Sequence, residues 1–393
     1  MKIITESEAL KNVSILDDAW NSIETFAFIP DKSGVEVSWI ENALDLFPLG
    51  LKEDHFCLLT SGSTGKPKLI VVEKKRSESL VKVIHEKQKN DSAKNTILVL
   101  PLNYSYAFIN QWLWARVMKR DFIISPGFKD PAQMANILSK NDETMICLVG
   151  AQIPLLKKHL PGYKFRGVVR VNFAGGPYPH NEIGYINQTF PNAKVFNNYG
   201  CAEAMPRLTI RSHVESEDPS NVGKPLPGIE IKSDEDGALI FRSSYQLSAY
   251  YSDSGLVQVP DKSWIPSGDF GEILDSGYVK IKGRSNEVYK RYGEKIALPN
   301  LIRVVKTIWD GQAIFYREKD NNGEEGHVLV CCPEPNEKQL KEILKVFRAQ
   351  YTRIHWPLRI EGVNEIPLLG NDKIDVSGLK ADEKKKLLWR QRT

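Results

Sequence analysis

The stretch that decides the fold is Thr60-Ser61-Gly62-Ser63-Thr64-Gly65-Lys66-Pro67-Lys68, between the apolar runs FCLLT at 56–60 and LIVV at 69–72. Glycines let successive backbone N–H groups turn into one anion-binding concavity, hydroxyls add donors, and lysine brings a full positive charge to phosphate oxygens. The Walker pattern GxxxxGK[ST] is not met, since a strand-like run follows in place of a helix. We therefore predict a phosphate-binding loop in a fold unlike that of kinases or GTPases, with a polar surface hairpin as the alternative.

Short apolar runs alternate with longer amphipathic stretches on both sides of this loop. The runs after it are TILVLP at 96–101, MICLVG at 145–150, VVRVNFAGG at 168–176 and KVFNNYG at 194–200. Such alternation is typical of strands and helices in an α/β arrangement. The sequence therefore predicts α/β layers in a large N-terminal domain.

Farther along, the residue pattern of the chain changes twice. Between about 208 and 283, short β-prone pieces with turn residues predict a mostly antiparallel β-rich subdomain. The last hundred residues combine a helix at NLIRVVKTIW, a hairpin turned at Asn321-Asn322-Gly323, and a helix with Leu340, Ile343, Leu344 and Phe347 on one face. We expect a small α+β domain there, ending in a solvated basic helix over KADEKKKLLWRQRT.

Composition and charge exclude several classes of protein. The 393 residues are 41% hydrophobic and 26% charged, which excludes a disordered, collagen-like or coiled-coil chain and leaves room for two or three domains. Basic residues exceed acidic ones by only four, so no nucleic-acid partner is demanded. Five cysteines without ligand spacing favour a reducing cytoplasm over disulfides or zinc. No signal peptide or membrane span is indicated.

Six further segments stand out along the chain, and the one at 197–203 combines an aromatic side chain with a carboxylate. An aromatic face suits a purine, and a carboxylate oxygen near phosphates suits a hard cation. The segments follow one another along the chain: Ala174-Gly175-Gly176-Pro177, Asn197-Asn198-Tyr199-Gly200-Cys201-Ala202-Glu203, Ser267-Gly268-Asp269, Gly283-Arg284-Ser285-Asn286, Tyr289 to Pro299, and Ile366 to Asp375. With the loop at 60–68, this series resembles the motifs of the AMP-forming adenylate superfamily, which includes acyl-CoA synthetases, adenylation domains of nonribosomal peptide synthetases and luciferases.

The resemblance implies a role for each matched residue. The phosphates of ATP are expected at Thr60, Ser61, Gly62, Ser63, Thr64, Gly65 and Lys68. The adenine and ribose are expected at Gly175, Gly176, Pro177, Asn198, Tyr199, Gly200, Asp269 and Arg284. Lys290 and Gly293 are expected along a thiol tunnel, and Asn286 at a hinge. The implied domains are 1–283, a hinge at 284–287, and 288–393.

Two residues are expected to be catalytic. Lys373 stands at the catalytic-lysine position, and Glu203 at the position of the magnesium ligand. The chain departs from the family pattern at Ala202, Asn286 and Asp372, where a threonine, a charged residue and a glycine are usual. Only 59 residues precede Thr60, so we expect a compact member with a reduced N-terminal subdomain.

The acid pocket is expected near the segment that starts at Pro101-Leu102-Asn103. Its lining residues are predicted to be Tyr104, Tyr106, Phe108 and Trp112, although aromatic residues at this spacing are as often core residues. No aspartate in an amino-acid-specificity context stands out, which favours a non-amino acid, fatty or aromatic.

The resemblance implies that ATP and Mg²⁺ activate a carboxylic acid as an acyl-adenylate, which is then transferred to coenzyme A. A stand-alone enzyme that loads the phosphopantetheine of a carrier protein is the first alternative. A non-catalytic nucleotide-binding relative is the second, because Ala202, Asn286 and Asp372 depart from the pattern. We expect a cytoplasmic ligase, and leave open whether it forms a homodimer.

Overall fold

The computed structural model describes residues 1–31, 35–60, 67–284, 287–367 and 374–391. It divides the chain into two units, Met1–Ile281 and Lys282–Thr393. The strands are β1 Lys2–Thr5, β2 Phe26–Ile29, β3 His55–Thr60, β4 Lys68–Glu73, β5 Asn95–Leu98, β6 Asp121–Ile124, β7 Thr144–Leu148, β8 Val168–Phe173, β9 Lys194–Tyr199, β10 Thr209–Ser212, β11 Asn221–Pro225, β12 Ile229–Ser233, β13 Ala238–Ser243, β14 Ala249–Ser252, β15 Gly255–Gln258, β16 Ile265–Ile273, β17 Val279–Arg284, β18 Val288–Arg291, β19 Glu294–Ala297, β20 Gln312–Lys319, β21 Glu325–Cys332, β22 Arg359–Gly362 and β23 Lys386–Arg390.

The α-helices between these strands are mostly short. They are α1 Glu6–Lys11, α2 Ser14–Asn21, α3 Val37–Asp45, α4 Leu49–Lys52, α5 Lys74–Gln88, α6 Ser105–Ala107, α7 Trp114–Met118, α8 Pro131–Lys140, α9 Ile153–His159, α10 Ile183–Thr189, α11 Leu298–Lys306, α12 Glu337–Gln350 and α13 Val376–Ala381. A π-helical stretch, Phe108–Leu113, joins α6 to α7. No helix in the described ranges combines the length and the apolar character needed to cross a bilayer.

The largest sheet of the first unit has the order β12-β13-β16-β17-β11-β10-β9-β8-β7-β5-β6. The strands β6, β5, β7, β8 and β9 pair in parallel, and β10 starts an antiparallel extension. The carboxyl ends of β7, β8 and β9 therefore lie along one edge, which is where ligands bind in open α/β sheets. The turns at 149–150, 174–177 and 200–203 follow these ends.

A second sheet, ordered β1-β2-β3-β4-β14-β15, carries the glycine-rich segment. The strands β3 and β4 form an antiparallel hairpin in which Thr60 is the Cα partner of Lys68. Residues 61–66 lie outside the described residues, but this pairing fixes both ends of their segment. A strand therefore follows the segment, as the sequence predicts.

The two sheets of the first unit share one apolar core. Side chains from β2, β3 and β4 meet those from β5, β7 and β9 around α5 and the 105–115 helical segment. Members of this core are Phe28, Phe56, Ile70, Leu80, Leu98, Phe108, Trp112, Trp114, Cys147 and Phe196. The parallel strands are buried on both faces, since a second cluster between them and α8, α9 and α10 covers the other side.

The second unit is an α+β module. Its sheet has the order β20-β21-β22-β23, and β20 and β21 form a hairpin in which Gln312 is the Cα partner of Cys332. Helices α11 and α12 pack on one face of this sheet through Leu301, Val305 and Phe347. The opposite face packs against Leu379 of α13. A capping box at Asn336 fixes the start of α12.

The α/β fold class predicted from the sequence is confirmed, and the predicted strands and the hairpin at 321–323 are present. The antiparallel strands between 209 and 284 extend both sheets of the first unit, since β14 and β15 join the sheet of β4. The predicted terminal helix is wrong. Lys386–Arg390 forms an edge strand beside β22, because Leu388 and Trp389 pack against the core of the second unit.

Candidate active site

Tyr199 and Asp269 form the central pair of the candidate site. Tyr199 is the last residue of β9, and its hydroxyl donates to Asp269 Oδ2 at 2.8 Å. Three strands separate β9 from β16 in the sheet order, so the sheet must curl for this contact to form. Asp269 is 6% exposed. Burial, and then the charge of Asp269, raise the pKa of Tyr199 well above its ordinary value, so the phenol stays a donor.

The loop after β9 is closed by a backbone hydrogen bond from Leu208 N–H to Tyr199 O at 2.8 Å. Gly200 lies against the returning chain, because a Cβ at this position would be 2.1 Å from the Pro206 carbonyl oxygen. Within the loop, Met205 has a φ of +57°, which is uncommon for a residue with a side chain. The loop has room only for glycine at position 200, which explains the Tyr-Gly pair of the motif.

Glu203 lies in a single 3₁₀ turn, Ala202–Ala204, within this loop. Its Oε1 is 3.4 Å from Lys68 Nζ, and both side chains are about one quarter exposed. Lys68 also lies over the ring of Tyr250, 4.4 Å from the centroid. An ion pair this accessible to water contributes little to stability, so Glu203 exchanges its partner at small cost.

Cys201 lies in the same loop, two residues after Tyr199 and two before Glu203. Burial, and then the charges of Glu203 and Asp269, raise the pKa of the Cys201 thiol well above its ordinary value. This thiol therefore stays protonated at neutral pH. Among the described residues, no group of three His, Cys, Asp or Glu side chains is close enough to hold a metal ion by itself.

The turn Gly175-Gly176-Pro177 leaves β8 at the same edge and is exposed. Gly175 has a φ of +74°, where glycine is favoured. A Cβ at Gly176 would meet nothing within 4 Å. The backbone of this turn is therefore accessible at the sheet edge.

Other predicted nucleotide residues of the first unit are placed differently. Asn198 is 3% exposed, and its Nδ2 donates to Asn172 Oδ1 at 3.1 Å. The side chain of Gln88 donates to both of these amides. Asn198 thus belongs to a buried amide cluster behind the sheet edge, and its contact with a nucleotide stays a prediction.

The predicted acid-pocket residues lie mainly in the aromatic core. Phe108 and Trp112 are fully buried, with ring centroids 4.7 Å apart, and Phe108 also stacks on Phe56 at 5.4 Å. Tyr106 is buried and Tyr104 is partly buried. These are the contacts of core residues, and a direct role in acid binding stays a prediction.

The second unit carries the predicted thiol-tunnel residues on the β18–β19 hairpin. Lys290 is exposed, and Gly293 stands at the turn, where a Cβ would meet nothing within 4 Å. Arg284, placed in this unit at the end of β17, is exposed, and its backbone N–H donates to Glu287 Oε2 at 3.2 Å. Asp375 N–H donates to Pro367 O at 2.8 Å.

Several predicted site residues lie outside the described residues. They are Lys373, Asn286, Ser61, Gly62, Ser63, Thr64 and Gly65. The hydrogen bond between Asp375 and Pro367 joins the two ends of the segment that contains Lys373. Their roles stay predictions.

The structure also brings together residues that the sequence reasoning missed. Tyr250 lies under Lys68, and Arg207 lies buried four positions after Glu203. Neither residue carries a signal in the sequence, because arginine is mostly exposed and tyrosine is intermediate in burial. Only the closure of the 200–207 loop shows where Arg207 lies.

A parallel sheet with exposed glycine turns, a tyrosine and two carboxylates at its carboxyl edge defines a nucleotide-binding α/β protein. The chain belongs to the AMP-binding enzyme family, which it matches over residues 9–250. The family predicted from the motifs is therefore confirmed.

Relatives match over most of this chain at low identity. The chain is 25% identical to a delta-poly-L-ornithine synthetase of Acinetobacter baumannii over 83% of this chain. The match covers only 26% of that protein. It is 23% identical to a 2-succinylbenzoate–CoA ligase of Oceanobacillus iheyensis, covering 82% of this chain and 68% of that one. A fatty acid–[acyl-carrier-protein] ligase of Mycobacterium marinum is 22% identical, and the match covers 85% of this chain and 69% of that one.

Solved structures share the fold. The o-succinylbenzoate CoA synthetase of Bacillus subtilis, in complex with its acyl-adenylate intermediate, aligns with a TM-score of 0.77 at 15% identity, over 98% of this chain and 89% of that one. ATP-bound MatB of Rhodopseudomonas palustris aligns with a TM-score of 0.69 at 17% identity, over 83% of this chain and 67% of that one.

Proposed function

We propose that this protein uses ATP to convert a carboxylic acid into an acyl-adenylate, releasing pyrophosphate, and then transfers the acyl group to a thiol. The observation that carries the proposal is the convergence of Tyr199, Glu203 and Asp269 at one sheet edge, beside the exposed turn at 175–177. Membership of the AMP-binding enzyme family supports it. The CoA ligase and the carrier-protein ligase among the relatives support the thiol step.

Asp269 and Tyr199 are suited to hold the nucleoside. The hydrogen bond of 2.8 Å fixes the phenol against the carboxylate, so the face of the ring keeps one orientation for an adenine. A buried carboxylate is an acceptor with two oxygens, which suits the two hydroxyls of a ribose. The exposed turn at Gly176 is suited to support the base with its backbone.

Magnesium is implied by the family, and the residues present fit it. Mg²⁺ takes one or two carboxylate oxygens together with substrate phosphates. Glu203 is partly exposed and held only by a weak ion pair, so we assign it as the protein ligand. When bound, the ion offsets the negative charge of the phosphates.

The bond-forming step joins two anions. A carboxylate oxygen of the acid attacks the α-phosphorus, and the bond from that phosphorus to the pyrophosphate oxygen breaks. We propose that the ammonium group of Lys373 stabilises the charge that develops on the α-phosphate. Lys68, at the end of the glycine-rich segment, would hold the departing pyrophosphate with the backbone N–H groups of 61–65. Positioning and electrostatics suffice for such a reaction.

The thiol step is proposed to use the second unit. In this proposal the segment 284–287, with Asn286, is the hinge between domain 1–283 and domain 288–393. Rotation about it would withdraw Lys373 and present the hairpin with Lys290 and Gly293 to the adenylate. The thiol then attacks the acyl carbon, and AMP leaves. We propose coenzyme A as the acceptor and the cytoplasm, which supplies it, as the compartment.

A carrier protein is the second candidate for the acceptor, because one relative is named for that activity. The two acceptors are separated by incubating the protein with ATP, Mg²⁺ and an acid panel, and adding either CoA or a phosphopantetheinylated carrier protein. The proposal expects thioester and AMP with CoA. A thioester formed only with the carrier protein would overturn the choice of CoA. If neither CoA nor the carrier protein leads to release of AMP, the transfer step is overturned.

A matched pair of variants places the chemistry at this site. Glu203→Gln keeps the size of the side chain but removes its charge, and we expect a loss of thioester formation. Glu215→Gln, at an exposed position of a 3₁₀ turn elsewhere in the unit, is the control and should retain activity. Equal activity of both variants would contradict the assignment of Glu203.

A further inference from the structure

Arg207 is a buried positive charge in the loop that follows β9. Its side chain is fully buried, and one terminal nitrogen, Nη2, donates to Asn110 Oδ1 at 2.7 Å. The guanidinium lies over the ring of Tyr106, 5.4 Å from the centroid. Among the described residues, its Nε and Nη1 have no hydrogen-bond partner and no acidic side chain forms an ion pair with it. A buried charge left in this way is costly.

The position of the guanidinium is fixed by the residues around it. Asn110 lies in the π-helical stretch Phe108–Leu113, and its Nδ2 donates to Tyr106 O at 2.8 Å, which turns its Oδ1 toward Arg207. Burial lowers the pKa of Arg207 to about 10, so the group is still charged at neutral pH. The structure therefore holds a preoriented cation, and π-helical turns are frequent at functional sites.

Topology distinguishes this arginine from two others that are also fully buried. Arg170 and Arg211 also have N–H groups without partners among the described residues, but each is the third residue of a strand, β8 and β10. Arg207 lies in the loop after the carboxyl end of β9, where its Cα would be 2.8 Å from a Cβ at Gly200. Arg207 is thus at the ligand edge of the sheet, beside the nucleotide motif.

We propose that Arg207 recognises a second anionic group on the acid, so that the substrate is a dicarboxylic acid. One carboxylate reacts with ATP, and the other supplies the charge and the acceptors that Nε and Nη1 lack. This inference rests on the proposed function and names its substrate class. It narrows the non-amino acid, fatty or aromatic, that the sequence favours to one with a second carboxylate, because a hydrocarbon end would leave the buried guanidinium without an anion.

Paired adenylate analogues test this inference. Non-hydrolysable acylsulfamoyl adenosines are made from a short, a medium and a long diacid, each with its far carboxylate either free or as the methyl ester. Binding to the whole protein is measured by isothermal titration calorimetry. For at least one chain length, the free carboxylate should bind at least about 100-fold more tightly than its ester, because a buried polar site rejects a ligand that leaves it unpaired.

Two variants assign the preference to this residue. Arg207→Met should bind both analogues of the preferred length equally, whereas the control Arg170→Met should keep the preference. If Arg207→Met does not fold, the comparison of the two analogues on the unmodified protein still decides whether the site prefers a free second carboxylate. Equal binding of ester and acid by the unmodified protein, or an unchanged preference in Arg207→Met, would overturn the inference and leave the proposed function standing. Binding of neither analogue at any length would also overturn the inference, and the proposed function is then decided separately by pyrophosphate exchange across the acid panel.

Discussion

Replacement of Gly200 by alanine tests whether the loop after β9 positions the chemistry. The added Cβ would lie 2.1 Å from the Pro206 carbonyl oxygen and 2.8 Å from the Arg207 Cα, both of them backbone atoms. Ordinary contact begins near 3.4 Å, so the returning chain must move by roughly 1 Å. Overpacking of this kind costs about 1–3 kcal/mol of folding free energy. The movement also displaces Glu203, and a misplacement of about 1 Å reduces a rate by roughly 100-fold.

The assay is acid-dependent exchange of labelled pyrophosphate into ATP, with the stability of each variant measured by chemical denaturation. Gly184→Ala is the matched control, because its Cβ meets nothing within 4 Å and the residue lies in helix α10. That control should keep full exchange and lose no stability. A Gly200→Ala protein with both unchanged stability and unchanged exchange would refute the account of this loop.

Three further variants address the nucleotide, the lysine and the second unit. Asp269→Ala should weaken ATP binding by at least about 10-fold, since it removes the acceptor that also fixes Tyr199; unchanged nucleotide affinity in a titration would contradict this. Lys373→Ala should abolish adenylate formation but spare thiolysis of supplied acyl-adenylate, and equal loss of both half-reactions would argue against its role. Burial, and then the charge of Arg291, lower the pKa of His327 to about 3, so the unfolded chain binds a proton below pH 6.5 that the folded chain does not. The free energy of unfolding should fall by about 2 kcal/mol between pH 7 and pH 5, and a His327→Phe protein with the same pH slope in denaturation would refute this reasoning.

The elements that sequence reasoning predicted correctly are those set by local pattern. The strands that end at Thr60, Phe173 and Tyr199 follow from apolar runs with turn residues after them. Their glycine turns follow from the same signal, since position 200 has room only for a residue without a side chain. Parallel pairing then brings the motifs to one edge.

The parts that sequence reasoning missed depend on long-range packing. The terminal segment 386–390 has a helix-like composition, but its Leu388 and Trp389 find an apolar surface beside β22 and form a strand. Tertiary contacts override local propensity in such edge segments. The role of Phe108 in acid binding stays a prediction: its ring stacks in the aromatic core, and aromatic spacing alone does not distinguish a pocket wall from the core. The burial of Arg207 depends on Asn110, which lies 97 positions away in the sequence.

Pyrophosphate exchange across a panel of carboxylic acids, with mass spectrometry of the product, detects acyl-adenylate formation itself. We expect exchange that requires both an acid and Mg²⁺, together with an acyl-adenylate of the mass expected for that acid. A protein that binds ATP but shows neither exchange nor an adenylate with any acid of the panel would contradict this expectation.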